Sequence, residues 1–263
     1  MAKRAVCVGI NDYPGTNMDL AGCVNDALDW KGVLEGRGYQ VTLLTDGQAT
    51  RAAMLDALTT LVAGAGPGDS IVFTYSGHGS WLPDENGDED DLRDEMMCPY
   101  DVMDKQYLLD DDIAGVLAKK KDGVDLFIIS DSCHSGSVTK FAPEILPRGV
   151  HPVARFIPPL TLLGRDLQMA RAVEIASQST KSSKQRYPAV LFAGCRDDQF
   201  SYDTSFNNRP NGAFTRVAIE ELAKGPATPR EWMDLIRKRL PTPTLPQSPQ
   251  LFAGTKAKKG PMF

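Results

Sequence analysis

The stretch ISDSCHSGS, residues 129–137, follows an apolar run that extends from Val124 to Ile129. It places a thiol, Cys133, directly beside an imidazole, His134. Because Val, Ile and Phe favour the extended backbone, the run predicts a buried strand. The functional groups are therefore expected where this strand ends.

Similar runs recur along the chain, and segments with helical spacing separate them in its first half. This alternation predicts an α/β fold with a mostly parallel central sheet flanked by helices. The predicted strands are Ala5–Ile10, Tyr39–Leu44, Ser70–Tyr75, Val124–Ser130 and Ala189–Ala193, with a short extended end at Pro249–Phe252. The predicted helices are Leu20–Leu34, Arg51–Val62, Asp110–Lys120, a short one near Gly164–Ser177, Asn211–Ala223 and Pro229–Arg239.

Two segments interrupt this pattern. Asp84–Glu95 contains eight acidic residues among twelve, which predicts an exposed or ion-binding loop. Val138–Pro188 is rich in proline and basic residues at its start and polar at its end, which predicts a long mobile connection. We therefore expect one domain, 1–263, in which this connection separates a larger part, 1–137, from a smaller part, 189–263.

Composition limits the classes of partner. The net charge of -5 provides no basic surface for a nucleic acid, and a cationic substrate fits better. No apolar run approaches the length of a membrane span, so no membrane partner is expected. The five cysteines are scattered without CxxC pairs, which indicates a reducing compartment and a cytoplasmic protein.

Cys133 needs a base, and its neighbour is poorly placed to provide one. Adjacent side chains of an extended backbone point to opposite faces, so His134 and Cys133 cannot easily share a proton. His151 precedes a proline in the irregular connection, whereas His78 directly follows the predicted strand Ser70–Tyr75. Parallel strands end at one sheet edge, so we expect His78 to activate the Cys133 thiol there. The amides of Gly79 and Cys133 would hold the oxyanion.

Paired motifs around these residues resemble a known family. YSGHGS (75–80) and DSCHSGS (131–137) place the histidine 55 positions before the cysteine, and this order and spacing are similar to those of caspase-fold cysteine peptidases, specifically metacaspases. Further matching stretches are GCVND (22–26), GDEDDLRDE (87–95), LLDDDI (108–113), GCRDDQFSYD (194–203), NGAFT (211–215) and PQLFAG (249–254).

The resemblance implies a caspase-like three-layer fold and a peptidase that cleaves after Arg, then Lys, in protein or peptide substrates. The positions that match the family's substrate pocket are Asp131, Asp203, Cys23, Asp26 and Ser76. Asp131 and Cys133 also share one face of an extended backbone, and paired carboxylates suit a guanidinium group. No arginine adjoins the cysteine motif, so cleavage after aspartate, as in true caspases, is not expected.

The resemblance further implies activation by calcium, self-cleavage and a monomeric state. Asp94, Asp110 and Asp111 match three calcium-binding positions, but Lys140 replaces a family aspartate seven residues after the cysteine. The connection offers many basic residues to an enzyme that prefers them. These residues are Lys140, Arg148, Arg155, Arg165, Arg171, Lys181, Lys184 and Arg186.

Two other functions are compatible with parts of the sequence. A caspase-fold pseudoenzyme that binds partners without cleaving them would need neither an intact His78–Cys133 pair nor an acidic pocket. A metal site built from Cys98, Cys133, His78 and His134 has little support, because their spacing matches no common zinc pattern.

Overall fold

Strands at the centre and helices around them account for most of the computed structural model, which describes residues 1–84, 92–133, 152–164, 167–177 and 188–263. The strands are β1 (Lys3–Gly9), β2 (Gln40–Thr45), β3 (Ser70–Ser76), β4 (Gly79–Pro83), β5 (Arg93–Met97), β6 (Leu108–Leu109), β7 (Asp125–Asp131), β8 (Val153–Ala154), β9 (Val190–Ala193), β10 (Tyr202–Phe206), β11 (Arg209–Gly212) and β12 (Gln250–Phe252). The helices are α1 (Cys23–Glu35), α2 (Arg51–Ala63), α3 (Asp110–Leu117), α4 (Pro159–Leu163), α5 (Leu167–Ser177), α6 (Ala213–Leu222), α7 (Pro229–Ile236) and α8 (Thr255–Lys258).

The main sheet has six strands in the order β12-β9-β7-β3-β1-β2. The inner pairs and the β1–β2 pair are parallel, and only the edge strand β12 runs antiparallel to its neighbour. The prediction of a mostly parallel sheet is therefore confirmed, and each of the five predicted main strands is present. Strands from both sides of the 138–188 connection share this sheet, because β7 pairs with β9.

Alternating side chains of the buried strands pack against helices on both faces of the sheet. In β7, Leu126 and Ile128 join the cluster that includes α2 and α3, while Phe127 and Ile129 join the cluster that includes α1, α6 and α7. This packing produces the three-layer arrangement that was expected. None of the helices in the described ranges combines the length and apolar character that a membrane-spanning segment needs.

The helix boundaries follow ordinary capping chemistry. Thr50 accepts a hydrogen bond from the Ala53 amide at the start of α2, and Gly64 follows its end, as the sequence predicted. Asp110, Asp111 and Asp112 occupy the first turn of α3, where the helix dipole favours negative charge. The short helix expected near 164–177 is present as α5.

Two small antiparallel sheets lie beyond the main sheet, with strand orders β4-β5-β6 and β11-β10-β8. Sequence patterns did not predict them, because each strand has at most five residues. They matter for function, since β4 directly follows His78 and β8 directly precedes Arg155.

The described parts of both irregular segments contain regular secondary structure that the sequence did not predict. The acidic stretch ends in β5, where Arg93 and Glu95 are buried and the Arg93 guanidinium donates to the Ala176 carbonyl, so the exposed-loop prediction is wrong for residues 93–95. The predicted irregular connection contains β8 and α4, so the irregular backbone was wrongly predicted for residues 153–163, in which Arg155, Phe156 and Ile157 are buried and Leu160 is exposed. Residues 85–91, 134–151, 165–166 and 178–187 lie outside the described part of the chain.

Candidate active site

The carboxyl ends of β3 and β7 meet at one edge of the main sheet. Ser76, the last residue of β3, lies directly opposite Asp131, the last residue of β7. His78 and Cys133 follow these residues by two positions each. The register therefore brings the two predicted catalytic loops to the same edge of the sheet, as expected for an open α/β site.

Two buried tyrosines fix the backbone of the His78 loop. The Tyr75 hydroxyl donates to the His78 carbonyl at 2.6 Å, and the His78 amide donates to the Tyr13 hydroxyl at 2.7 Å. The Tyr13 ring also packs on the imidazole, with ring centroids 4.6 Å apart. The loop is therefore held from both sides before any substrate contributes.

The hydrogen bonding of the His78 ring selects its tautomer. Its Nε2 lies 2.6 Å from the Met18 carbonyl oxygen, which can only accept, so Nε2 carries the proton. Nδ1 is buried and has no hydrogen-bond partner among the described residues. Burial lowers the pKa of His78 to about 4, against the opposing effects of the Met18 and Arg155 backbone carbonyls. The ring is thus neutral at pH 7, and Nδ1 is its unprotonated nitrogen.

The thiol of Cys133 is buried and contacts the backbone of the small part of the chain. Its Sγ accepts a hydrogen bond from the Ser201 amide at 2.7 Å and donates to the Ser201 carbonyl at 3.4 Å. No hydrogen bond among the described residues joins Sγ to His78. Proton transfer between them therefore requires the sulfur to leave Ser201. Cys195 lies beside Cys133, and a hydrogen bond with Cys133 together with burial raises the pKa of Cys195 well above its usual value.

The amides of Gly79 and Cys133 converge on one oxygen atom. Both donate to the carbonyl oxygen of Arg155, at 3.0 and 3.3 Å respectively. This is the arrangement expected of an oxyanion hole, with a peptide carbonyl already in it. Any side chain at position 79 would collide with the Cys133 carbonyl, so glycine is required for this close approach.

The Arg155 side chain fills the predicted acidic pocket and is fully buried there. Its Nη2 lies 2.7 Å from Asp26 and 3.0 Å from Asp203, and its Nη1 lies 3.2 Å from Asp131. Nη1 also donates to the Ser76 hydroxyl at 2.6 Å. The carboxylates, led by Asp131, raise the pKa of Arg155 well above its usual value, although burial opposes them. Four of the five predicted pocket residues thus contact one guanidinium group.

Neutral donors hold the three carboxylates in place. Asp131 accepts from the Thr215 amide and hydroxyl at 2.9 and 2.8 Å. Asp203 accepts from the Ala21 and Gly22 amides, and Asp26 accepts from the Gly212 amide. Burial raises the pKa of Asp26 to about 6, and the Asp131 charge adds to this increase, although the Arg155 guanidinium opposes it. The pocket is therefore built in advance for positive charge.

Cys23, the fifth predicted pocket residue, begins α1 beside these acids and is fully buried. Burial raises the pKa of its thiol well above the usual value. The Cys23 amide donates to the Asn11 side chain at 2.8 Å. Cys23 thus lines the pocket as a neutral group.

The three predicted calcium ligands lie apart from this pocket. Asp94 belongs to β5, and Asp110 and Asp111 open α3, so they occupy neighbouring elements. No group of three or more His, Cys, Asp or Glu side chains in the described ranges could hold a metal ion. Calcium binding by these aspartates therefore stays a prediction, and Lys140 lies outside the described ranges.

Sequence reasoning missed several residues that complete the site. From the sequence, Arg155 is only one of eight basic residues in the connection. The residues that hold the catalytic and pocket side chains in position also had no predicted role, although three of them lie in the NGAFT motif. These groups are Tyr13, Met18, Ser201, Asn211, Gly212 and Thr215. Only their long-range contacts reveal them, since most lie more than 50 positions from the residue they hold.

Comparisons with known proteins show which proteins this chain resembles. A model of the metacaspase, peptidase C14 domain family matches residues 3–142. Metacaspase-1 of Cryptococcus neoformans is 34% identical over 85% of this chain, and Metacaspase-1A of Aspergillus oryzae is 31% identical over 95% of it. The chain spans 56% and 67% of those two proteins, so it covers just over half of the first. The crystal structure of protein GSU0716 from Geobacter sulfurreducens is 30% identical, with a TM-score of 0.75 over 99% of this chain and 98% of that one.

Proposed function

Because the chain belongs to the metacaspase family of C14 peptidases, we propose that it is a cysteine endopeptidase that hydrolyses peptide bonds after arginine and, less efficiently, after lysine. Cys133 is the proposed nucleophile and His78 the proposed general base and acid. One observation carries the proposal: an arginine of the chain itself has its guanidinium in the acidic pocket and its carbonyl oxygen between the Gly79 and Cys133 amides.

The proposed reaction uses groups of this chain alone. His78 Nδ1 takes the thiol proton once Sγ turns from Ser201, and the thiolate attacks the carbonyl carbon of the arginine. The two amides stabilise the oxyanion, and the imidazolium then protonates the departing amine. Water activated by His78 hydrolyses the thioester, which releases the carboxylate and restores the thiol.

The charge of the pocket supports the proposed preference for arginine over lysine. Arg155 Nη1 and Nη2 divide their contacts among three carboxylates, and a lysine ammonium is a single point that cannot match this fork. An aspartate side chain would add a fourth negative charge to a buried acidic pocket. We therefore expect cleavage after Arg, then Lys, and none after Asp.

A positional library of fluorogenic peptides tests this preference, with the wild type beside Cys133→Ala. We expect kcat/KM for Arg to exceed that for Lys by about tenfold, because the guanidinium fork is lost with Lys. Cys133→Ala should cleave nothing above background. Preferred cleavage after Asp would refute the pocket assignment, and the absence of both cleavage and labelling by an arginine-bearing thiol-reactive probe would favour a pseudoenzyme.

Calcium activation is a separate part of the proposal and rests on the resemblance at Asp94, Asp110 and Asp111. No catalytic step above uses the ion. If calcium activates the enzyme, the metal chelator EGTA should lower peptide hydrolysis and added CaCl₂ should restore it. Activity that is unchanged by EGTA would remove calcium from the proposal.

Self-cleavage within the 138–188 connection, a cytoplasmic location and a monomeric state complete the proposal. A reducing compartment suits the chemistry, because the nucleophile must remain a thiol and all five cysteines, which lie in described ranges, are free. Size-exclusion chromatography with light scattering tests the monomer, since a mass twice that of the chain would contradict it.

A further inference from the structure

An ion pair between α1 and β11 is connected to the acidic pocket through one buried amide. Arg209 donates to both carboxylate oxygens of Asp29, at 2.6 and 2.8 Å, and both side chains are partly exposed. Its Nη1 also donates to the Asn211 Oδ1 at 2.6 Å. Asn211 is fully buried, and its Nδ2 donates to Asp26 at 2.9 Å and to Asp29 at 3.0 Å. The hydrogen bonds therefore lead from the surface to a carboxylate of the pocket.

The periodicity of the two elements brings these four side chains together. Asp26 and Asp29 are three positions apart on α1, so they lie on one face of the helix. Arg209 and Asn211 are two positions apart on β11, so they lie on one face of the strand. The Asn25 side chain donates to the backbone of β11 at 2.8 Å and holds the helix against the strand.

Arg209 determines which end of the Asn211 amide faces the pocket. A guanidinium group can only donate, so the amide oxygen must face Arg209 and the NH₂ group must face Asp26. Asp29 binds both Nη atoms of Arg209 and keeps the guanidinium in place. Without Arg209, rotation of the amide would place its oxygen against the Asp26 carboxylate, where two acceptors repel each other.

We infer that Arg209 and Asp29 are positioning residues, which orient the Asn211 amide towards Asp26 and so prepare this carboxylate for the guanidinium of a substrate. The inference rests on the proposed function and adds residues outside the pocket that determine how tightly arginine binds. It also gives a role to the first residue of the NGAFT motif.

The ionisation of Asp26 makes this role measurable. Burial is the main cause of its raised pKa, and the Asn211 hydrogen bond opposes burial because it favours the ionised form. Loss of this bond would raise the pKa of Asp26 further, so the carboxyl would stay neutral up to a higher pH. The charged or titratable side chains that face Asp26 from the elements packed around it are Arg155, Asp131, Asp203, Cys23, Asp29 and Arg209.

Arg209→Met tests the inference, because it removes the donors of a partly exposed side chain and keeps most of its length. We measure kcat and KM for a fluorogenic arginyl peptide between about pH 5 and about pH 8. KM should rise about tenfold below about pH 6 with kcat unchanged, and the difference should shrink towards about pH 8, as a shift of about one pH unit in Asp26 requires. Arg209→Lys can still donate to the Asn211 oxygen and should restore most of the wild-type profile. An increase in KM that is the same at every pH would overturn the inference.

Arg51→Met is the matched control. Arg51 forms an ion pair of similar exposure with Asp112, between α2 and α3, and its loss should leave KM unchanged at every pH. Asn211→Ala should raise KM as Arg209→Met does, and the double variant should show no further rise, because Arg209 acts through the Asn211 amide. A further rise in the double variant would contradict this route.

The wild type separates this inference from the proposed function. If the wild type hydrolyses arginyl peptides and Arg209→Met has the same KM across the pH range, the inference is wrong and the proposed function stands. If the wild type hydrolyses no arginyl peptide, the proposed function fails and the inference fails with it. Partial unfolding of a variant cannot imitate the expected result, because unfolded protein lowers the apparent kcat and leaves KM unchanged.

Discussion

A His78→Gln variant is expected to lose about 1000-fold in kcat/KM for arginyl peptides, because it loses the proposed base for the Cys133 proton. Nδ1 of His78 is buried and has no hydrogen-bond partner among the described residues, while the Met18 carbonyl keeps the proton on Nε2. Glutamine can still donate to the Met18 carbonyl but cannot accept and return a proton. Initial rates of hydrolysis of a fluorogenic arginyl peptide measure this loss of kcat/KM.

The pH profile distinguishes a lost base from a disturbed fold. Without His78, the thiol must lose its proton to water, so the residual activity should rise steadily with pH. A variant that has merely lost structure would show no such rise, and its thermal midpoint would fall below that of Cys133→Ala. A kcat/KM within tenfold of the wild type at neutral pH would exclude His78 as the base.

The sequence was sufficient to predict the strands and helices that are marked by long continuous patterns of apolar residues. Long apolar runs such as Ser70–Tyr75 and Val124–Ser130 predict buried parallel strands because both faces of these strands are covered by helices. Short strands such as β8 cannot be recognised this way, since two residues carry no periodicity. β8 exists because β10, which lies far along the chain, offers it backbone hydrogen bonds.

The residues of the candidate site likewise fall into those that the sequence predicts and those that only the structure shows. His78 and Cys133 were predictable because each follows a strong strand, and the ends of parallel strands meet. Asp131 and Asp203 were identified by resemblance, while their shared cation was not. Arg155 lies among prolines and other basic residues, and nothing local distinguishes it from Arg148 or Arg165. Its role follows only from three carboxylates that converge from α1, β7 and β10.

An Asp131→Asn variant should lose at least about 100-fold in kcat/KM for arginyl peptides, since removing one member of a buried charge pair typically costs about 2–5 kcal/mol. Asparagine has the same shape as aspartate. The Ser201 hydroxyl donates to Asp131 in the wild type and can accept a hydrogen bond from the asparagine amide in the variant. The loss should therefore arise from the missing charge and not from a collapsed pocket. It should appear for Arg and Lys peptides and be far smaller for a peptide with Gln at the same position.

Asp112→Asn is the matched control for the loss of the Asp131 charge. Asp112 also accepts from an arginine, Arg51 at 2.8 Å, but on α3 and away from the Arg155 pocket. This variant should retain the wild-type kcat/KM and the wild-type ratio of Arg to Gln cleavage. Equal losses in both variants, or an unchanged Arg to Gln ratio in Asp131→Asn, would show that the three carboxylates do not select the substrate. An unchanged ratio would also leave Arg155 as a purely structural ion pair, because the carboxylates that hold it are the ones proposed to recognise the arginine of a substrate.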